Sequence, residues 1–170
     1  MKFDIVVVGG GHAGSEASHA ASTMGLKTCM FCMSFSHVGN MPCNPSIGGS
    51  AKGIVVKEID ALGGIMGKVA DQNALQYKML NLSKGPGVHA LRAQADKITY
   101  PKGILKALQE TPNLTLIEQE VVDIIVENGK IGGVLLKDGT KVECKAVILT
   151  TGTYMRSEEH TSELQSHHDL

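Results

Sequence analysis

The sequence has 170 residues, of which 42% are hydrophobic, 19% are charged and 20 are glycine. This composition is typical of a globular α/β protein and excludes a disordered or fibrous chain. Lysine and arginine number 16 against 17 acidic residues, which excludes a strongly basic nucleic-acid module. No apolar run approaches the ~20 residues of a membrane span and no signal-peptide pattern is present, so we expect no membrane partner, a cytoplasmic location and free thiols at the cysteines.

The C-terminal segment, residues 157–170, differs in composition from the rest of the chain. It contains four acids, three of the seven histidines and no lysine or arginine, and it resembles a translated cloning adaptor. Without it, residues 1–156 have a formal charge of 16 − 13 = +3. We interpret residues 157–170 as a non-native, disordered tail, and we expect no metal site at His167, His168 and Asp169 because a mobile tail cannot preorganise ligands.

The first 31 residues show the pattern of a βαβ unit. The apolar run at residues 5–8 predicts a buried parallel strand, and glycines follow it directly. Residues 28–31 predict a second strand, and Gly25 ends the helix between the two strands. A spacing of 3.6 residues predicts that the apolar face of this helix consists of Ala13, Ala17, Ala20, Ala21 and Met24.

The middle of the chain is predicted to be loop and helix. Prolines and glycines indicate a loop over residues 39–53. Apolar spacing predicts helices at residues 54–62, 75–82 and 88–98, and a further helix that begins at Pro101. The prediction for this region is therefore a long helical insertion after the second strand.

From residue 114 the hydrophobic period becomes that of strands. Short strands are predicted at residues 114–117, 121–126, 131–136, 140–144 and 146–150, with tight turns at 128–129 and 138–139. We interpret them as a β-meander followed by a final buried strand. This order resembles the FAD domains of the glutathione-reductase class. The predicted fold class is α/β, an incomplete domain with a doubly wound parallel sheet of the FAD/NAD(P)-binding type and a β-meander.

A glycine motif lies between the first strand and the first helix. Gly9, Gly11 and Gly14 form G-x-G-x-x-G, in which glycine permits a tight turn, a close approach of the backbone to a pyrophosphate and close strand–helix packing. The free N–H groups of the helix N-terminus favour the same anion. The predicted cofactor-binding loop consists of Gly9, Gly10, Gly11, His12, Ala13 and Gly14, where His12 serves the shape of the loop or a phosphate.

The acid that usually binds ribose after the second strand is absent. Residues 31–36 read FCMSFS, so ribose recognition is expected from Ser34, the backbone or water. An apolar strand that ends in Thr150, Thr151 and Gly152 resembles the segment that returns to the glycine loop in FAD domains. Because the carboxyl ends of neighbouring parallel strands share one crevice, we expect Ser34 and Gly152 to converge on the glycine loop.

Cys43 is the candidate nucleophile. It lies in MPCNPSIGG at residues 41–49, where flanking prolines exclude regular helix or a central strand and display the thiol on a stiff loop. A nearby cation or helix end would make such a thiol nucleophilic. A buried loop cysteine without a function is the alternative.

Four segments resemble the glucose-inhibited division protein A family of tRNA uridine 5-carboxymethylaminomethyl modification enzymes. They are GGGHAGSEAS at residues 9–18, MPCNPSIGG at 41–49, KGIVVKEIDALGG at 52–64 and LSKGPGVHALRAQADK at 82–97. The resemblance covers roughly residues 3–155 and implies that residues 1–156 are the N-terminal part of an FAD-binding domain.

The resemblance also implies an activity. Family members use FAD reduced by NADH, with methylene-tetrahydrofolate as carbon donor, to build a C5 substituent on the wobble uridine of tRNA. They work as homodimers with the GTPase partner MnmE. Carried over by motif, Gly9 to Gly14 hold the FAD pyrophosphate, Val121 presents its backbone near the adenine, and Cys43 matches a cysteine proposed to be catalytic. Whether Cys43 or a cysteine outside this sequence attacks uracil stays open, and this chain alone is expected to be inactive.

Two other functions fit parts of the pattern. A folate- and FAD-dependent tRNA uracil-5-methyltransferase has a similar glycine loop, although it typically keeps the acid after its second strand. A noncatalytic dinucleotide-binding fragment is the other alternative, and a flavin spectrum of the purified protein would test it.

Two further groups of residues have ambiguous patterns. Cys29 and Cys32 have the spacing of a redox or zinc motif, but residues i and i+3 of a strand point to opposite faces, so we expect both to pack in the core. A candidate tRNA-backbone patch, which a solvated helix face would also resemble, consists of Lys84, His89, Arg92, Lys97, Lys102 and Lys106.

Overall fold

The computed structural model describes residues 1–42 and 44–152. Cys43 and the predicted tail at residues 157–170 lie outside the described residues. In chain order the helices and strands are β1 (Ile5–Val8), α1 (His12–Thr23), β2 (Thr28–Cys32), β3 (Ser46–Gly48), α2 (Lys52–Ala61), α3 (Met66–Gln72), β4 (Ala74–Leu80), β5 (Ala90–Ala95), α4 (Thr99–Gln109), β6 (Leu114–Glu118), β7 (Val121–Glu127), β8 (Lys130–Leu136), β9 (Lys141–Glu143) and β10 (Ala146–Leu149).

A four-stranded parallel sheet forms the centre of the fold. Its strand order is β10-β1-β2-β6, and Val6 pairs with Cys29 on one side and with Val147 on the other. Continuous apolar runs suit the inner strands, because both faces of a parallel sheet are covered. The predicted α/β fold class and the predicted βαβ unit are confirmed. The final strand is buried less than predicted, since Leu149 is 53% exposed.

The parallel sheet separates two hydrophobic cores. On one face, Val7 and Met30 pack with residues of α3 and α4, among them Tyr100 and Ile104. On the other face, the antiparallel sheet β7-β8-β9 supplies the core residues Val134, Leu136 and Val142, which pack with Val6, Cys29 and Phe31. The predicted β-meander is confirmed for β7 to β9, which form a separate layer against the parallel sheet. Its predicted first strand at residues 114–117 is β6, which instead pairs with β2 in the parallel sheet.

Helix α1 packs through a face different from the predicted one. Ser15, Ser18 and Ser22 are fully buried, whereas Met24 is 79% exposed. The prediction considered hydrophobicity alone and therefore placed the alanines on the buried face. Close packing between a helix and a sheet also favours small side chains, and serine is small enough to be buried there. The predicted apolar face was therefore wrong in its orientation, although its member Ala21 is buried and Ala17 packs partly against the core.

A second antiparallel sheet, of strand order β3-β5-β4, replaces much of the predicted helical insertion. The helices predicted at residues 75–82 and 88–98 were wrong, because these residues form β4 and β5, and the predicted loop at 39–53 contains β3. Leu75, Tyr77 and Met79 fit the two-residue period of a strand, whereas Leu75, Met79 and Leu82 fit a helical spacing. Pairing with β5 decides for the strand. The predicted helix at 54–62 is confirmed as α2, and α4 begins two residues before Pro101.

Helices α1 to α4 contain between 7 and 12 residues each. Across residues 1–42 and 44–152, none of them is both long and apolar enough to cross a membrane.

Candidate dinucleotide-binding site

The glycine loop lies against the residue that follows β10. Gly9 has a φ of +115°, and a Cβ atom there would overlap the carbonyl oxygen of Thr150. A Cβ atom at Gly14 would overlap the carbonyl oxygen of Gly9 and lie 2.6 Å from Oγ1 of Thr150. Both positions therefore require glycine, because an added methyl group would push backbone segments apart. The tight turn and the close strand–helix contact predicted from the sequence are both present.

Thr150 connects the end of β10 to the glycine loop. Its hydroxyl donates to the carbonyl oxygen of Val8 at 2.9 Å and lies 3.2 Å from that of Gly9, and its N–H donates to Val8 at 2.9 Å. Gly152 has a φ of +67°, and a Cβ atom there would meet no other described atom within 4 Å. The threonine–glycine segment thus returns to the glycine loop as predicted, but Thr150, rather than Gly152, contacts the loop.

The N-terminus of α1 is open to a ligand. Gly11 is the N-cap residue without a capping side chain, and a Cβ atom at Gly11 would meet no described atom within 4 Å. Within the described residues, the first turn of α1 holds no acidic side chain. The first N–H groups of a helix lack intrahelical acceptors and carry partial positive charge. This surface is therefore complementary to a phosphate group.

His12 occupies the first position of α1. Its ring centroid lies 5.8 Å from that of Tyr100, and its Nε2 atom is buried without a hydrogen-bond partner among the described residues. Burial lowers the pKa of His12, and the positive charge of Lys52 lowers the pKa further. The imidazole is therefore neutral near pH 7.

A cavity of about 420 Å³ is lined by His12 and by Pro42 and Asn44, the two sequence neighbours of position 43. Its lining residues come from the glycine loop, the proline-rich loop, β3 and the starts of α2 and α3, and they are His12, Asn40, Met41, Pro42, Asn44, Ile47, Lys52 and Met66. Cys43 itself lies outside the described residues, so its catalytic role stays a prediction. Its two sequence neighbours nevertheless border the same cavity as the glycine loop.

Comparisons with known proteins identify the family. The family model for glucose inhibited division protein A matches residues 4–168. The chain belongs to this family. It is 52% identical over 94% of its length to the tRNA uridine 5-carboxymethylaminomethyl modification enzyme MnmG of Ureaplasma urealyticum, and 53% identical over 92% to that of Bacillus thuringiensis, covering 26% and 25% of those proteins. It therefore spans about a quarter of the length of these relatives.

Solved structures agree with this membership. The chain is similar to GidA of Aquifex aeolicus with a TM-score of 0.88 and 53% identity, over 91% of this chain and 26% of that one. The flavin-dependent brominase Bmp2 shares 20% identity and a TM-score of 0.60 over 90% of this chain and 39% of that one, which shows a common fold alone.

Two further residues with predicted cofactor contacts, Ser34 and Val121, lie near the carboxyl end of β2. Ser34 lies two residues after the end of β2, and its hydroxyl accepts from the N–H of Ser36 at 3.3 Å. Val121 begins β7 and pairs with Leu136, and the N–H of Gln119 just before it donates to the carbonyl oxygen of Cys32 at 2.9 Å. Contacts of Ser34 with ribose and of Val121 with adenine stay predictions.

The thiols in the described part of the chain are core residues. Cys29 and Cys32 point to opposite faces of the parallel sheet, as predicted, and Cys144 shares the core of Cys29. Burial raises the pKa of Cys29 to about 12 and that of Cys32 to about 11, and it also raises the pKa of Cys144. Protonated, buried thiols are poor nucleophiles. Within the described residues, no cluster of three or more histidines, cysteines or acids has the arrangement of a metal site.

Proposed function

We propose that this chain is the FAD-binding part of an enzyme that modifies C5 of the wobble uridine in tRNA. The observation that carries the proposal is the arrangement of Gly9, Gly14 and Thr150, which leaves the backbone at the start of α1 free to meet a diphosphate. The printed names of the 52–53% identical relatives support the tRNA substrate and the reaction.

The residues of the site fit FAD. The N–H groups at the N-terminus of α1 would hold the pyrophosphate, and Gly9, Gly10, Gly11, His12, Ala13 and Gly14 would shape its cradle. Val121 would present its backbone near the adenine, and Gly152 would lie beside the loop that Thr150 anchors. When bound, FAD supplies the redox chemistry of the reaction.

Cys43 is the proposed nucleophile. Its thiolate would add to C6 of the uracil, forming the S–C6 bond and moving the C5=C6 electron pair into an enolate. C5 would then attack the methylene carbon that methylene-tetrahydrofolate provides as an iminium, forming the C5–C bond while the electron pair of the C=N⁺ bond moves to the folate nitrogen. Loss of the C5 proton and expulsion of the thiolate would restore the C5=C6 bond. The cavity that Pro42 and Asn44 share with His12 supports a position of this loop near the cofactor.

The other parts of the proposal come from the family. NADH would reduce FAD, the GTPase MnmE would be the partner, and the full-length protein would be a homodimer. We also propose that residues 1–156 are the N-terminal part of the FAD-binding domain, and that residues 157–170 are foreign to it because their composition changes so sharply.

Nucleoside analysis of a strain that lacks the full gene tests the function. We expect loss of the C5-substituted wobble uridine, with restoration by the wild-type gene and no restoration by its Cys43→Ser variant. Loss of 5-methyluridine with intact wobble uridine would instead identify a methyltransferase and contradict the proposal.

A further inference from the structure

The β4–β5 hairpin, residues 74–95, has an unusual charge. It contains Lys78, Lys84 and Arg92 and no aspartate or glutamate, so its formal charge is +3 in a chain of net charge −1. The ion pairs among the described residues involve Lys2, Lys106, Lys137 and Lys145, and none of them involves a cation of this hairpin.

The two faces of the hairpin differ in burial. Ile47, Ala93 and Tyr77 are successive cross-strand neighbours, and Ile47 and Ala93 are buried on the face that packs toward α2 and α3. Side chains alternate between the faces of a strand. Lys78 and Arg92 are the next pair in register, so they lie on the opposite face.

That opposite face carries a polar strip. Lys78 is directly opposite Arg92, and Gln76 is directly opposite Gln94. Lys78 and Gln76 are exposed, and Arg92 and Gln94 are half-buried. Like charges directly opposite each other in an antiparallel pair destabilise a sheet. A polyanion seated on the strip would remove this repulsion, and side-chain amides can hydrogen-bond the edges of unstacked bases.

The strip adjoins the loop that contains position 43. Ser46, three residues after that position, pairs with Gln94, and the N–H of Ala95 donates to the carbonyl oxygen of Pro45 at 2.7 Å. Nζ of Lys97 donates to the carbonyl oxygen of Pro42 at 3.0 Å. A strand of RNA on the strip would therefore pass close to the proposed nucleophile.

We propose that this polar strip, formed by Gln76, Lys78, Arg92 and Gln94, binds the single-stranded RNA loop that carries the target uridine. The assignment rests on the proposed function, since a wobble uridine lies in such a loop. The cations of the strip contact phosphates, and the glutamines contact bases. Lys78 was absent from the candidate tRNA patch of the sequence analysis, because its pairing with Arg92 depends on the hairpin.

Charge reversal at Lys78 separates RNA binding from folding. In the full-length enzyme, Lys78→Glu places an acid opposite Arg92, so the melting temperature should stay the same or rise while tRNA affinity falls. We expect Kd for an unmodified tRNA transcript to rise by roughly three- to fivefold or more, and the slope of log Kd against log salt to fall by about 0.7 for each lost phosphate contact on a single strand. Lys141→Glu, at an exposed position of strand β9 in the meander, is the matched control and should change neither quantity.

The possible results distinguish failure of the polar strip as an RNA-binding site from failure of the proposed function. Unchanged Kd and salt slope in Lys78→Glu, with folded protein and bound flavin, overturn the RNA strip and leave the proposed function standing. If the reversal unfolds the sheet, Lys78→Gln and Arg92→Gln provide the same test, and unchanged tRNA affinity in both overturns the strip. A wild-type protein that binds flavin but no tRNA overturns the proposed function as well.

Discussion

At the scale of single residues, the site depends on atoms that approach closely. The sequence motif correctly indicated that positions 9 and 14 require glycine, because G-x-G-x-x-G is typical of a tight turn between strand and helix. It could not indicate which residue near the end of β10 meets the loop. The answer, Thr150, depends on the parallel register that places Ala146 beside Ile5 and Leu149 beside Val8.

The hydroxyl of Thr150 should contribute to flavin affinity. Thr150→Val keeps the shape of the side chain but removes its hydrogen bond to Val8, which costs about 1 kcal/mol for a bond of this kind. The loosened glycine loop should then bind FAD several-fold more weakly in a fluorescence-quenching titration. Thr150→Ser keeps the hydroxyl and is the control. Equal affinity of the valine and serine variants would show that the hydrogen bond does not support the site.

The lowered pKa of His12 predicts a pH effect on stability. Because burial keeps the folded imidazole neutral, only the unfolded chain binds a proton at His12 as the pH falls through the ordinary value of 6.5. The free energy of unfolding should therefore fall between pH 7.5 and pH 5.5. In urea titrations at both pH values, His12→Asn should lose less stability than the wild type. An identical loss in the two proteins would contradict burial of a neutral His12.

At the scale of elements, hydrophobic patterns predicted strands and helices correctly where only one of the two periods, that of a strand or that of a helix, fitted the sequence. The valines of β1 and the turns of the meander allowed one interpretation, and those predictions were confirmed. Residues 75–82 fitted both a helix and a strand, and only cross-strand pairing with β5 resolves them. The buried serine face of α1 was missed for a related reason. Hydropathy ranks residues by polarity, whereas a tightly packed helix also selects them by size.

One carboxylate joins α1 to α3. The side chain of Glu16 accepts hydrogen bonds from the N–H of Ile65 at 3.1 Å and from the N–H of Met66 at 2.6 Å, at the start of α3. Glu16→Gln removes the negative charge from this helix N-terminus, so unfolding should require about 1–2 kcal/mol less free energy. Hydrogen exchange at the Ile65 and Met66 amides should accelerate, whereas the exposed control Glu58→Gln should leave both rates unchanged. Unaltered exchange in Glu16→Gln would refute the cap.

At the scale of the whole molecule, one parallel sheet with a core on each face organises the site. Helices α1 and α4 cover one face, with α3 packed against α4, and the β7-β8-β9 meander covers the other. The carboxyl ends of β1, β2 and β10 consequently lie at one edge, where the glycine loop, Ser34 and Thr150 follow their strands. Composition and strand patterns were sufficient to predict this architecture. The small β3-β5-β4 sheet was not predicted, because the apolar residues of β4 and β5 also fit helical spacings, and because β3 pairs with a strand distant in sequence, as Ser46 does with Gln94.

Burial in the two cores should slow the reaction of the cysteines with thiol reagents. In a Cys43→Ser variant, the remaining thiols Cys29, Cys32 and Cys144 are buried and protonated, so a thiol reagent at pH 8 should label them only as fast as the protein unfolds. Above the ordinary thiol pKa of 9.0, the unfolded chain loses protons that the folded protein keeps, so stability should decline as the pH rises further. Rapid labelling of any of the three in the folded protein would place it outside the cores.

If the glycine loop holds the diphosphate of FAD, a methyl group added at Gly14 should remove flavin from the full-length enzyme. Gly14→Ala directs a Cβ atom at the carbonyl oxygen of Gly9, whereas in the control Gly132→Ala the nearest atoms lie at an ordinary 3.5 Å. Absorbance of the purified proteins near 450 nm reports bound flavin, and circular dichroism reports the fold. We expect a folded Gly14→Ala protein without flavin and a Gly132→Ala protein with the wild-type amount. A folded Gly14→Ala protein that retains the full amount of flavin would show that the glycine loop does not hold the cofactor.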